Sequence, residues 1–510
     1  MVEIIKPDLC IIGAGAGGLD AAAGAALVGK SVVLVEREGF DGSRLKAVVP
    51  SKALVAAARM ARQITRADAL GLTVARAEIN VDKLRRYIER VMARLAPNSA
   101  PERFAGLGVR VVMGAARFIN QGRLAVGEEI EVRARRYVIA TGSRPTVPEF
   151  PGFAEVPYLT EESLLTLNQL PTHLVVIGAS VVALELAQAF RRLGAAATVI
   201  AEGELLAQED PECARVVLDA LAHEGVELRT NAAIDTIAKT AAGVRVTLSS
   251  GLGSVAGSHL LVACGRSPNV EGLALDNAGV KVGPAGIVVD LALRTSNRRI
   301  YAIGDVTGAP PFVHVARHHA GLIVHGAVLG LPGRLRPEAL PRVVFTDPEL
   351  AQVGLTEAEA AARRIPVRVL RWPYHENDRA HIEQATRGHL KILTSHSGRV
   401  LGATIVGVSA SDLIGLWSLA VGRGLDIHML AGILLPYPTL GDTGHRAAMT
   451  YLTLASRHTW VQRNLGFVAG PVSRLVSRLG SLDLVSRRLG RLRLGRLLLG
   501  KLPLGKLLGR

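Results

Sequence analysis

Cysteine is almost missing from this chain of 510 residues: Cys10, Cys213 and Cys264 are all it has. Three widely spaced thiols build neither a disulfide framework nor a zinc site, and they fit a reducing cytoplasm. Aromatic residues are also sparse, at 4%, and they do not interleave with basic residues as a base-stacking surface requires. That weighs against nucleic acid as a partner, despite a formal net charge of +16. No apolar run reaches the roughly 18–20 residues that span a bilayer. Glu3, Lys6 and Asp8 interrupt the first residues, so no cleavable signal is expected there. Acids are missing from one region above all. From Val461 onward eleven Lys and Arg residues face the single acid Asp483, a surplus that holds ten of the sixteen net charges. The remainder of the chain is only mildly basic.

What is present is enough apolar material, 49% of residues, to build real cores over roughly three to four domains. Leu9 to Ile12 reads as a short buried strand that runs into Gly13-Ala14-Gly15-Ala16-Gly17-Gly18. Small residues follow up to Leu27, then a second strand, Val32 to Val35, ends at Glu36. Strand, glycine turn, helix, strand and terminal acid form the dinucleotide-binding unit. Gly13 permits the tight turn, Gly15 lets backbone N–H groups approach a pyrophosphate at the helix N-terminus, and Gly18 lets helix and strand come close. Glu36 is placed to accept the hydroxyls of an adenosine ribose.

A second unit follows in mid-chain. His173 to Ile177 is a strand, Gly178-Ala179-Ser180-Val181-Val182-Ala183 is the turn, and a helix runs from Leu184 through Phe190. Ser180 and Ala183 stand where glycines are commoner. The next strand, Thr198 to Ile200, is followed by Ala201 and Glu202, with no Arg or Lys between Thr198 and Asp210. Without a cation to meet a 2′-phosphate, the site leans towards NADH over NADPH.

Two such units, together with longer motifs, resemble the pyridine nucleotide–disulfide oxidoreductase family, and within it most of all the catalytic core of mercuric reductase. The resemblance rests on GASVVALELAQAFRRLG at 178–194, CGRSPN at 264–269, RTSNRRIYAIGD at 294–305, VVFTDPELAQVG at 343–354 and GAARF at 114–118, and spans about residues 8–455. It implies an α/β fold with two doubly wound, Rossmann-like dinucleotide-binding domains and an α+β dimerisation domain. The implied segments are 1–150 for the first part of the FAD-binding domain and 151–270 for the NAD(P)-binding domain. Residues 271–335 complete the FAD domain, 336–455 form the dimerisation domain, and 456–510 are a basic tail. FAD, NADH or NADPH, and a homodimer are implied with it. So are roles. Asp305 holds the ribityl and phosphate region of FAD, Ala116 and Val313 touch FAD through backbone atoms, and Thr141-Gly142 marks the crossing between domains. Gly178, Ser180, Val181, Val182, Glu202 and Gly265 line the nicotinamide nucleotide. Lys52 lies near the flavin N5 and pairs with Glu185. A Lys there stabilises developing negative charge, and a neighbouring Glu favours its charged form and fixes its place. Without the resemblance, Lys52 on an amphipathic helix reads as a solvated charge.

The chain departs from the family pattern at the chemistry itself. Dithiol members carry Cys-x4-Cys before Pro-Ser-Lys. Here Gly42 to Pro50 reads GSRLKAVVP. An ungapped alignment puts Ser43 and Val48 at the two thiol positions, and one deletion puts Arg44 at the first. The His-Pro-Thr-x-x-Glu acid–base pair that disulfide-reducing members supply from the partner subunit is Tyr437-Pro438-Thr439-Leu440-Gly441-Asp442 here. A tyrosine titrates near 10 and shuttles protons poorly at neutral pH, but it donates well to a carbonyl or quinol-type oxygen. The paired terminal cysteines of mercuric reductase are absent, so Hg(II) handling lacks its thiols. His314, His318 and His319 read as packing or surface residues before they read as metal ligands, and no metal site is expected. Lys52, Glu185 and Tyr437 are the catalytic candidates. The expected activity is hydride transfer from NAD(P)H to FAD, then to a quinone, a second nicotinamide or a similar small acceptor. A non-catalytic, membrane-associated flavoprotein is the alternative, and a mercuric or disulfide reductase served by thiols from elsewhere is a third. The Leu/Arg/Gly-rich tail suits either an anionic membrane surface or a low-complexity extension, so the expected location is cytoplasmic, with the inner membrane face as a peripheral option.

Overall fold

The structure, a computed structural model, describes residues 2–456 except 41, 43, 76, 165 and 166. The expected roles of Ser43 and of the tail beyond residue 456 therefore lie outside the described residues. Residues 1–447 form one compact unit.

Two parallel sheets organise it. The first has five strands in the order Ile300–Ala302, Arg136–Ile139, Leu9–Ile12, Val32–Glu36, Val109–Met113. Alternate residues of these strands supply its two faces. Leu9, Ile11, Val32, Leu34 and Val138 pack on the helices Ala16–Leu27 and Val313–Ile323. Cys10, Ile12, Val33, Val35 and Tyr137 pack against a smaller sheet through Phe118, Leu124, Val126 and Val132. Strands buried on both faces must be apolar throughout, which is why Leu9–Ile12 has no polar residue. The second sheet has four parallel strands in the order Val226–Arg229, Ala196–Ile200, His173–Ile177, His259–Val262. Its helix runs over Val181–Arg192, three residues earlier than the pattern predicts. The Ser180 side chain accepts the N–H of Ala183 and starts the helix there, where a β-branched pair alone gives a weak starting signal.

The two nucleotide units are joined by a pair of short antiparallel strands, Ser143–Pro145 and Arg266–Pro268. Beside them Asn269 closes the crossing. Its side chain donates to Thr141 O at 2.9 Å, its carbonyl accepts from Thr141 Oγ1 at 2.7 Å, and its N–H donates to Gly142 O at 3.0 Å. A third sheet, antiparallel, follows the order Arg342–Val344, Glu349–Gly354, Val400–Gly407, His389–Thr394, Arg368–Pro373. It is tied to the second unit by a buried cation. Lys391, 3% exposed, lies 2.7 Å from Asp210, 2.7 Å from Glu357 and 3.2 Å from Glu212. Asp210 is fully buried and also caps the helix Pro211–His223.

Among the described residues no helix is long and apolar enough to cross a membrane.

Candidate functional site

The first glycine turn has the geometry a pyrophosphate needs. Gly13 has φ +106°, and a side chain there would meet Ala140 O at 2.4 Å. Gly18 lies so close to Gly13 O that a Cβ would fall 1.9 Å from it. At Gly17 the near neighbour is Ala316 O, 3.0 Å from where a Cβ would sit, because the two helices on that face cross there. At Gly15 a Cβ would meet open space. The helix Ala16–Leu27 begins at Gly15 with no side-chain cap and no acid in its first turn. Its first N–H groups thus lack a side-chain acceptor and suit a bound anion.

Glu36 closes this turn from the end of its strand. Its Oε2 accepts from Ala14 N at 2.6 Å, and its Oε1 accepts from Arg37 N and Glu38 N at 2.8 Å. The carboxylate is fixed beside the turn, with part of its acceptor capacity used by backbone N–H groups. Asp305 follows the strand Ile300–Ala302 in a short 3-10 turn. Burial pushes its carboxyl up, against the opposing Ser143 hydrogen bond and the Arg266 charge. Ser143 Oγ donates to it at 2.6 Å, and Arg266 Nε donates to that Ser143 oxygen at 2.8 Å. Arg266 is held in turn by Glu161 and Glu162. A partly buried carboxylate of this kind calls for hydroxyl donors, as a ribityl chain offers. Ala116 opens the strand Ala116–Asn120, and Val313 is the first residue of a helix that also lacks a side-chain cap. These residues fit an FAD.

The second turn is similar but not identical. Gly178 has φ +124°, and a Cβ there would meet Ala263 O at 2.3 Å, which matches Gly13 against Ala140. Val181 and Val182 form the first turn of the helix, and its N-terminus is already capped by Ser180. Gly265, φ +106°, faces open space, and Glu202 is exposed after the strand Ala196–Ile200.

Three parts of the fold meet at Lys52. The helix Val49–Thr65 packs on the helix Val181–Arg192 through Ala53, Leu54, Ala58, Leu184 and Phe190. That contact brings Lys52 Nζ against Glu185 Oε2 in an ion pair. The Lys52 side chain is 30% exposed and that of Glu185 is 1%. The other oxygen, Glu185 Oε1, accepts from Phe345 N at 2.8 Å, and Lys52 Nζ stands 4.8 Å from the centre of the Phe345 ring. One and two turns further along the same helix face, Gln188 exchanges two 2.8 Å hydrogen bonds with the backbone of Asp347, and Arg192 pairs with the Asp347 carboxylate at 3.0 Å. Sequence reasoning assigned nothing to Phe345, Gln188, Arg192, Ser143 or Arg266. The i, i+3, i+7 spacing of Glu185, Gln188 and Arg192 marks one helix face, but it does not say what that face meets.

Tyr437 stands apart. It is 73% exposed, its hydroxyl donates to Asp378 Oδ2 at 2.6 Å, and that hydrogen bond raises its pKa. Among the described residues no hydrogen bond or ion pair links it to Lys52 or Glu185. The segment before Pro50 is a π-helical turn, Arg44–Val48, where Arg44 donates to Ser99 Oγ at 3.1 Å and Lys46 lies 3.5 Å from Glu38. All three thiols are held protonated. Burial pushes Cys264 up to about 11 and raises Cys10 and Cys213 further.

Of the three histidines beside Asp305, His319 is buried, with Nδ1 accepting from Gly304 N at 3.1 Å and Nε2 left without a partner. Burial and the neighbouring His318 lower its pKa to about 4. The folded chain therefore refuses a proton that the unfolded chain accepts near 6.5, so this contribution is intact above pH 6.5 and is lost as pH falls towards 4. Between pH 7.5 and 4.5 the wild type is expected to lose stability relative to His319→Gln, on the order of 2–3 kcal/mol. Paired denaturant titrations at the two pH values measure this, and parallel pH curves for the two proteins would contradict it.

The family model described as pyridine nucleotide-disulphide oxidoreductase matches residues 7–320, and that of the corresponding dimerisation domain matches residues 340–448. A mercuric reductase from Streptomyces lividans is 36% identical over 454 residues, covering 87% of this chain and 96% of the relative. A dihydrolipoyl dehydrogenase from Bacillus subtilis (strain 168) is 33% identical over 455 residues, with coverage of 87% and 96%. Among solved structures, LpdA from Mycobacterium tuberculosis has a TM-score of 0.80 at 29% identity, covering 88% of this chain and 99% of that one. The HOCl-induced flavoprotein disulfide reductase RclA from Escherichia coli gives 0.75 at 26%, with coverage of 87% and 99%. The family works with FAD and NAD(P)H. With two parallel nucleotide-binding sheets, an antiparallel third sheet and these matches along nearly the whole described length, the chain belongs to the pyridine nucleotide–disulphide oxidoreductase family.

Proposed function

We propose that this protein oxidises NAD(P)H through FAD and passes the electrons from the flavin directly to an acceptor other than a disulfide, such as a quinone or a second nicotinamide. The observation that carries this reading is the lack of any thiol between Gly42 and Pro50, with the three cysteines elsewhere in the chain held protonated by burial. A thiol that does not ionise is neither a nucleophile nor a soft-metal ligand. Bound FAD supplies a two-electron acceptor for the nicotinamide hydride. In this reading Gly13, Gly15, Gly17, Gly18, Glu36, Ala116, Thr141, Gly142, Asp305 and Val313 hold it. Residues 1–150 and 271–335 form its domain. Residues 151–270 bind the nicotinamide nucleotide through Gly178, Ser180, Val181, Val182, Glu202 and Gly265, and residues 336–455 pair two chains into a homodimer. Lys52 places a positive charge where negative charge develops, and Glu185 fixes it there. Tyr437, its hydroxyl kept protonated beside Asp378, serves the site of the other chain of the homodimer in this reading, as a hydrogen-bond donor that exchanges Asp378 for a carbonyl-type acceptor.

Anaerobic titration tests this. NADH is expected to bleach the yellow protein without a thiol-dependent charge-transfer band. Glu202, with no cation nearby in sequence to meet a 2′-phosphate, makes NADPH require a higher concentration than NADH for the same effect. A flavin that neither nicotinamide bleaches would defeat the enzymatic reading and leave the non-catalytic flavoprotein. Hg(II)-dependent NADPH oxidation by the isolated chain would defeat the non-disulfide, thiol-free part alone.

A further inference from the structure

We propose that Phe345 is a positioning residue for the Lys52–Glu185 pair, so that the segment Phe345–Asp347 sets where the Lys52 charge stands in the reaction. The inference rests on the role given to Lys52 above. Phe345 addresses both members of the pair at once. Its N–H donates to Glu185 Oε1 at 2.8 Å, while its ring lies 4.8 Å from Lys52 Nζ. A carboxylate 1% exposed has two oxygens to satisfy, and here one takes the ammonium and the other the Phe345 N–H. The ammonium is thereby confined between a carboxylate and an aromatic face. Both favour a cation at that point, and neither can follow it if it moves.

The backbone at 345–347 is itself fastened to the helix that carries Glu185. The Gln188 amide donates to Asp347 O and accepts from Asp347 N, so it grips the backbone of that residue on both sides, and Arg192, its side chain 5% exposed, binds Asp347 and Glu224 together. Glu185 and Phe345 therefore move as one body. The long flexible Lys52 side chain is the part that needs a fixed target, because four rotatable bonds leave a lysine ammonium otherwise poorly placed.

The ring and the N–H can be separated by experiment. Phe345→Leu removes the ring and keeps the N–H, Phe345→Tyr keeps both, and Phe345→Met replaces the ring with a flexible side chain of similar size should Leu collapse the site. Anaerobic stopped-flow reduction by NADH, with Lys52→Met run alongside, reads the outcome. For Phe345→Leu or Phe345→Met the limiting reduction rate is expected to fall roughly tenfold, the size of a partly desolvated cation–π contact. The half-saturating NADH concentration should change less than twofold, and Phe345→Tyr should restore the rate. A merely structural Phe345 would instead weaken FAD retention or NADH binding and leave the limiting rate alone, which overturns the proposal. So does a Phe345→Leu protein as fast as wild type while Lys52→Met is slow, with the role of Lys52 left standing. A Lys52→Met protein as fast as wild type, or a wild-type flavin that no nicotinamide reduces, removes the underlying reading and the proposal with it.

Discussion

Replacing Lys52 with Met is expected to slow NADH-driven bleaching of the bound flavin by a factor of about 10²–10³, the range seen when one preorganised electrostatic group is removed from a reacting centre. Met keeps most of the stem and deletes the charge. Glu185 is then left 1% exposed, its charge met by the Phe345 N–H and no longer by an ammonium. Breaking a buried pair on one side only costs about 3 kcal/mol or more, because the surviving charge is uncompensated. Lys52→Met should therefore be both slow and less stable. The double variant Lys52→Met/Glu185→Gln separates the two effects. An amide fills the same space and needs no counter-charge, so stability should return towards wild type while the rate stays low. Stopped-flow reduction and urea midpoints on the same preparations decide the matter. A single variant with wild-type rate would remove Lys52 from the chemistry, and a double variant with restored rate would show that the first loss came from damage to the fold.

The largest stability effect is expected at Lys391→Met, at about 3–5 kcal/mol, which corresponds to a fall in thermal midpoint on the order of 6–10 °C. Three carboxylates surround this ammonium, but they do not depend on it equally. Glu212 and Glu357 each keep Arg371 as a second partner. Asp210, with no exposure, keeps only the N–H groups of Glu212 and Cys213 at 3.1 and 3.3 Å. Asp210→Asn in the Lys391→Met background should recover a good part of the loss, since it removes the stranded charge and can still cap the helix. Burial pulls the Lys391 ammonium down, but the hydrogen bonds it donates to Asp210 and Glu357 outweigh this and hold it at about 12. A raised lysine contributes fully below the unfolded value near 10.5 and loses that contribution only as pH climbs towards 12. The cost of Lys391→Met should therefore be flat from about pH 7.5 to 9, above the range in which the neighbouring His389, whose own protonation Lys391 opposes, takes up a proton. A cost that varied strongly over that window would place its origin elsewhere.

The parts of this architecture that are local were legible in the sequence. Leu9–Ile12 and His173–Ile177 appear as strands, each followed by a glycine with positive φ against a neighbouring carbonyl. A strand buried on both faces and a tight turn leave a mark within a dozen residues. The helix starts at Val181, three residues before the expected Leu184, because Ser180 stands where a glycine is commoner and acts there as a cap. Lys52 and Glu185 lie 133 residues apart, and family resemblance alone pointed to their meeting. Hydrophobic periodicity cannot rank one exposed-looking lysine above another. The Phe345, Gln188 and Arg192 contacts were not legible at all, since they depend on how an antiparallel sheet lands against a helix from another domain. The π-helical turn at Arg44–Val48 is similar. Its missing cysteines are plain in the sequence, but its wider backbone path is not.

The two glycine turns also differ in how their helices begin, and the difference bears on residence time. The helix at Val181 carries its own acceptor in Ser180. One N–H of that helix end is satisfied without a ligand, so under the proposed function a nucleotide can arrive and leave with less disturbance to the backbone. The helix at Ala16 carries no side-chain acceptor, and its first N–H groups gain most from a phosphate that stays. In the proposed reading, a single hydroxyl, present at one turn and absent at the other, thus helps make the first dinucleotide a permanent tenant and the second a passing guest.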